Sequence, residues 1–115
     1  MVLGKDHPNT LETVNNMASV FESKGEYSKA LQWYQRALDG REIVLGKDHP
    51  DTLETVNDIA AVFWGNGEND KSLEWFQRAL DGREIALGKN HPDTLQTVNN
   101  IAGVFWKKRD RKSVV

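Results

Sequence analysis

Apolar side chains recur along this chain at helical spacing, in three registers that superimpose. Leu11, Val14, Met17, Ala18 and Phe21 trace one face of a helix, in steps of three, three, one and three. The same face returns as Leu53, Val56, Ile59, Ala60 and Phe63, and again as Leu95, Val98, Ile101, Ala102 and Phe105. Apolar and polar positions do not alternate in these stretches, so a strand reading fails. A second pattern follows, with Tyr27, Ala30, Leu31, Tyr34, Ala37 and Leu38 at helical spacing and continuing to Leu45. It predicts a second helix of about 18 residues, roughly 27 Å long at 1.5 Å per residue.

Punctuation agrees with these patterns. Gly4 and Pro8 lie too close together for a helix, and Pro8, Pro50 and Pro92 fall where a helix should begin. Asn9, Asp51 and Asp93, each followed three residues later by Glu or Gln, predict capping boxes there. Gly25 should end the first helix, and Gly46 the second. Gly40, inside the second helix, costs about 1 kcal/mol relative to Ala. Its recurrence as Gly82 suggests the close approach of a neighbouring helix.

Residues 2–43 and 44–85 are identical at 30 of 42 positions, and a third copy opens at residue 86. Each copy is a helix A followed by a helix B, an αα-hairpin whose apolar face stays exposed unless copies stack. The expected fold is all-α: a right-handed α-solenoid of two full repeats plus a third helix A, five helices in one domain of 115 residues.

Composition narrows the function classes. The net charge of −2 gives no global pull toward nucleic acid or membrane. The chain has no cysteine, which removes thiol catalysis and disulfides and suits a reducing, cytoplasmic setting. No stretch has the length and apolarity of a membrane span. Residues 1–106 carry 10 Lys and Arg against 16 Asp and Glu, so the repeats are acidic. Lys107, Lys108, Arg109, Arg111 and Lys112 make a basic end, read as a solvated helix terminus with a phosphate- or acid-binding patch as the alternative. His7, His49 and His91 recur once per repeat, too far apart to share a metal ion, and are better placed at helix starts. No nucleophile–base set, phosphate loop or carboxylate pair converges, so no enzyme, metal or cofactor is expected.

Ala18, Phe21, Gly25, Tyr27, Ala30, Tyr34 and Ala37 carry a resemblance to the tetratricopeptide repeat. The usual proline after helix B is missing, with Glu42 in its place, and the unit is lengthened to 42 residues. The LGKDHPDTL string is similar to repeats of kinesin light chains and closer still to repeats of fungal receptor-like NTPases. The resemblance implies a non-catalytic protein-interaction module that holds peptides on the concave surface of the A helices. Carried over position by position, it places Glu12, Asn15, Ser19 and Glu22 in the groove. Glu54, Asn57, Ala61 and Trp64 follow in the second copy, and Gln96, Asn99, Gly103 and Trp106 in the third.

Asn15, Asn57 and Asn99 would form a row able to bind a peptide backbone with both donors and acceptors, unless they bond to neighbouring helices instead. Asn16, Asp58 and Asn100 are expected to be structural. The groove has Lys107 as its only lysine, so a neutral, basic or apolar peptide is expected rather than a C-terminal carboxylate. Trp64 and Trp106 are read either as anchors for a partner or as packing over a weakened turn. That turn carries Asn69 and Ser72 where the first copy has Tyr27 and Ala30. Trp33 and Trp75 should pack against the next helix. The alternative function is a self-associating module whose open ends stack as a homo-oligomer. Nucleic-acid binding is disfavoured by the acidic groove.

Overall fold

The computed structural model describes the backbone of residues 4–113 and the side chains of residues 4–106. Its helices are α1 (Pro8–Ser23), α2 (Tyr27–Leu45), α3 (Pro50–Gly65), α4 (Asn69–Leu87) and α5 (Pro92–Ser113), with no strand among the described residues. They form an α-solenoid in which each helix packs on the next, giving an elongated body of 60 × 33 × 18 Å. The basic side chains Lys107, Lys108, Arg109, Arg111 and Lys112 lie outside the described residues. No helix of the described residues is long and apolar enough to cross a membrane.

The helices start two residues earlier than the capping-box spacing predicts. His7 and His49 are the caps, and Pro8 and Pro50 occupy the first helical turn. The imidazole Nδ1 of His7 accepts the backbone N–H of Asn9 at 3.1 Å, and that of His49 accepts from Asp51 at 3.0 Å. His91 repeats the bond with Asp93 at 3.1 Å. Proline fixes the first turn, so the residue before it, rather than the Asn or Asp after it, meets the orphan amides. At the other ends, Gly25 and Gly46 take φ of 77° and 94°, the left-handed region that ends a helix cheaply only with glycine.

Within a repeat, helices A and B close on a glycine. A Cβ at Gly40 would overlap Leu11 Cδ2 and stand 3.0 Å from Cδ1, and Gly82 meets Leu53 in the same way. The close approach suggested by the recurring glycine is therefore between the two helices of one repeat. The main core runs through both repeats and contains Ala18, Tyr34, Leu38, Val56, Ile59 and Val62. Val62 and Val104 are fully buried while their first-copy counterpart, Val20, is half exposed. Helix α3 thus buries two faces: one against α4 and one against the preceding repeat.

Two sequence expectations change here. Ser72 does not weaken its turn, because its hydroxyl donates to the Ala60 carbonyl at 2.8 Å. Asn69 is the unrepaired member, buried with an Oδ1 that finds no partner among the described residues. Trp33 and Trp75 lie against the rings of Phe21 and Phe63 in their own repeats, at centroid distances of 6.2 and 6.4 Å.

Candidate functional site

Helices α1, α3 and α5 are the first helices of successive repeats, and a polar relay ties each repeat to the next. Arg41, on α2, is buried and donates from Nη1 to the Asp51 carbonyl at 3.0 Å and to Thr55 Oγ1 at 2.9 Å. Thr55 in turn donates its hydroxyl hydrogen bond to Asn15 Oδ1 at 2.8 Å. The relay recurs one repeat later: Arg83 donates to the Asp93 carbonyl and to Thr97, and Thr97 donates to Asn57 Oδ1 at 3.1 Å. Three helices from two repeats are tied at one buried point, where a hydrogen bond to a charged group is strongest.

Two members of the asparagine row take part in this relay. Asn15 and Asn57 are 6% and 8% exposed, and their carbonyl oxygens are committed to the stack. That bond takes one of the two lone pairs on each oxygen. Each also keeps its Nδ2 donor, which in Asn15 lies 3.4 Å from Asp58 Oδ2. Asn99 is exposed.

Between α1 and α3 lies a cleft of about 380 Å³ lined by Asn15, Asn16, Glu22, Tyr34, Glu54 and Asp58, and reaching Asn57, Arg83, Asp93 and Gln96. Asn16 and Asp58, expected to be structural, are groove residues. Glu12 is exposed on α1 and does not line the cleft. Four acidic residues and one arginine line it, and that arginine already donates to the Asp93 backbone carbonyl and to Thr97. The Asp58 carboxyl is pushed up to about 7, chiefly by burial and also by the nearby Glu54 and Glu22, against the opposing pull of the Asn15 hydrogen bond and Arg83. Tyr34 is raised as well, by burial, by Asp58 and by its bond to Glu22.

Asp58 therefore holds its proton more tightly in the fold than in the unfolded chain. An acid raised in this way adds stability as pH falls from about 7 toward 4, and its ionisation costs stability above 7. The first and third copies carry asparagine at this position, as Asn16 and Asn100. Asp58→Asn should raise stability at pH 8 by about 1–2 kcal/mol and cancel the Asp58 contribution between pH 7 and 4. Urea melts of both proteins at pH 8 and pH 5 check this; equal differences at the two pH values would refute it.

The matching positions 22, 64 and 106 are chemically different. Glu22 accepts from Tyr34 Oη at 2.8 Å. In the second repeat both members change together, to Trp64 and Phe76, and the indole joins Phe76, Ala60 and Val104 in a second cluster. Trp64 also reaches α5, where a Cβ on Gly103 would come within 3.2 Å of Cη2. Trp64 is therefore packed between repeats, whereas Trp106 is 64% exposed. A separate, more apolar cleft of about 730 Å³ lies between α2 and the next repeat, with Leu31, Ile59, Phe63 and Trp75 on its walls.

Comparison with known proteins matches the repeat itself. The family model described as the tetratricopeptide repeat covers residues 1–43, 14–85 and 51–113. No curated protein matches the chain. Among solved structures, the nearly identical TPR-like repeats of Podosopora anserina, named for a kinesin light chain, superpose with a TM-score of 0.80 at 19% identity. That match covers 90% of this chain and 49% of the other. BtubC (BKLC) from P. vanneervenii superposes with a TM-score of 0.83 at 21% identity, over 92% of this chain and 42% of that one. The chain spans about half the length, or less, of these relatives, and at such identity the likeness extends to the fold alone.

Proposed function

The chain belongs to the tetratricopeptide repeat family, and from that premise we propose that it is a non-catalytic scaffold holding an extended basic peptide in the cleft between α1 and α3. The observation that carries this reading is the charge of the cleft. Glu22, Glu54, Asp58 and Asp93 line it, and its one cation, Arg83, is already hydrogen-bonded. A lysine or arginine side chain entering there gains carboxylate partners, whereas a ligand carboxylate would meet like charge. The amide donors of Asn15 and Asn57 remain for a peptide carbonyl, and Asn99 offers its whole amide. Trp106, exposed at the far end, supplies an apolar contact. Trp64 acts indirectly, by holding α5 in place.

The test is calorimetric titration with two extended peptides that differ only in Lys against Glu at the central positions. The lysine peptide should bind, with affinity falling as salt rises, and the glutamate peptide should not. Glu22→Gln combined with Asp58→Asn should weaken the lysine peptide by about tenfold or more, corresponding to roughly 1.4 kcal/mol. Equal binding of both peptides, or an unchanged affinity in the double variant, would overturn the assignment.

A further inference from the structure

Asp58 is a carboxyl that the fold leaves without a counter-ion. It lies in the cleft between α1 and α3, well inside the chain, where the lining runs from Asn15 to Gln96. Its Oδ2 meets the Asn15 amide at 3.4 Å, a long bond from a neutral donor. Arg83, brought by α4, makes no ion pair with it among the described residues; its Nη1 is taken by the Asp93 carbonyl and Thr97. The other titratable groups around Asp58 are acids: Glu22 from α1, Tyr34 from α2, Glu54 one turn earlier on α3, and Asp93 from α5. Tyr34 already donates its hydroxyl to Glu22. The first and third repeats carry an asparagine at this position, Asn16 and Asn100, which cannot titrate.

A carboxyl so placed can be neutralised by a proton or by a cationic side chain. The two compete, because an ammonium or guanidinium pairs with the ionised form. We propose that a lysine or arginine side chain entering this cleft displaces a proton from Asp58, so that capture of a basic peptide is coupled to pH through this one residue. The coupling rests on the basic-peptide reading of the same cleft and adds its regulation. Burial, with Glu54 and Glu22, raises the free Asp58 carboxyl to about 7, and an opposite charge within about 4–6 Å lowers it again. Affinity therefore rises with pH up to that value and levels off above it. Between pH 6 and pH 8 the gain is about tenfold, the limit set by the share of free protein that must give up its proton. His7, His49 and His91 bond to the starts of their helices and do not line the cleft.

The probe is an extended peptide with lysines at its central positions, no histidine, and acetylated and amidated ends. It is titrated calorimetrically into the whole chain at pH 6 and pH 8 and constant salt, each in two buffers with different heats of ionisation. Binding about tenfold tighter at pH 8 is expected, with most of one proton released per peptide at pH 6 and little at pH 8. Asp58→Asn puts at this position the residue that the other repeats carry. It should weaken binding at pH 8, bring the affinities at the two pH values within about twofold, and abolish the proton release. Equal affinity of the unaltered chain at both pH values, with no proton released, overturns the coupling and leaves the basic-peptide reading standing. A pH dependence that survives Asp58→Asn overturns it too, because another group then carries the proton. Absence of binding at pH 8 overturns both.

Discussion

Arg41→Met should lower stability by about 2–3 kcal/mol and the melting temperature by on the order of 10 °C. Methionine keeps most of the buried stem and removes the donors that reach the Asp51 carbonyl and Thr55. Hydrogen bonds from a charged group contribute about 1.5–3 kcal/mol each. Part of that returns, because a guanidinium 5% exposed no longer has to be kept out of water. Arg83→Met should cost less, although Arg83 makes the same two bonds. Arg41 has Glu54 at 3.9 Å, where Arg83 faces the uncharged Gln96, and the buried Nε of Arg83 has no partner among the described residues. Because Arg41 ties the first repeat to the second, its loss should also shallow the urea transition, as coupling between repeats weakens. Urea denaturation of both variants checks the order. A loss below about 0.5 kcal/mol for Arg41→Met would show that the relay contributes orientation and no net stability.

The relay was invisible in the sequence for a physical reason. Helical periodicity assigns apolar residues to the core and leaves every polar residue to solvent or ligand, so Thr55 and Arg41 attracted no attention although both recur unchanged one repeat on. The asparagines stand out by their spacing, but a single-helix pattern cannot tell a groove amide from one whose carbonyl is bonded to a residue 40 positions later. The fold was legible because each A helix has an apolar face broad enough to read alone. The second buried face, at Val62 and Val104, escaped because its first-copy member Val20 has no preceding repeat against it and is 49% exposed. The caps were misplaced by two residues because spacing favoured Asn9 and Asp51, while proline geometry favoured the histidines before them. The acidic cleft was half legible: groove position 54 was expected to bear a carboxylate, but Asp58 became a groove residue only when α1 and α3 were set side by side.

Trp64→Glu should destabilise by about 2 kcal/mol, Phe76→Tyr by about 1–2 kcal/mol, and the double variant by at least 1 kcal/mol less than their sum. The first repeat supplies the reason. Tyr34 is 1% exposed, and its hydroxyl is tolerated there because Glu22 accepts it at 2.8 Å. Phe76 is fully buried with the Trp64 indole beside it, so a hydroxyl added alone would be buried without an acceptor. A glutamate added alone would lose the indole contact with Gly103 and leave α5 less well covered. Together, the two changes rebuild the Tyr–Glu pair of the first repeat and recover the hydrogen bond, but not the contact with Gly103. The cycle is read by urea denaturation of the four proteins, and additivity within about 0.3 kcal/mol would refute the coupling. Coupling of the stated size would make the asymmetry between the A helices a property of the core: α1 can present an acid at position 22 only with a tyrosine beneath it. The aromatic Trp64 is likewise matched to Phe76. A variant that moves the acidic cleft to the second repeat must then change both layers at once.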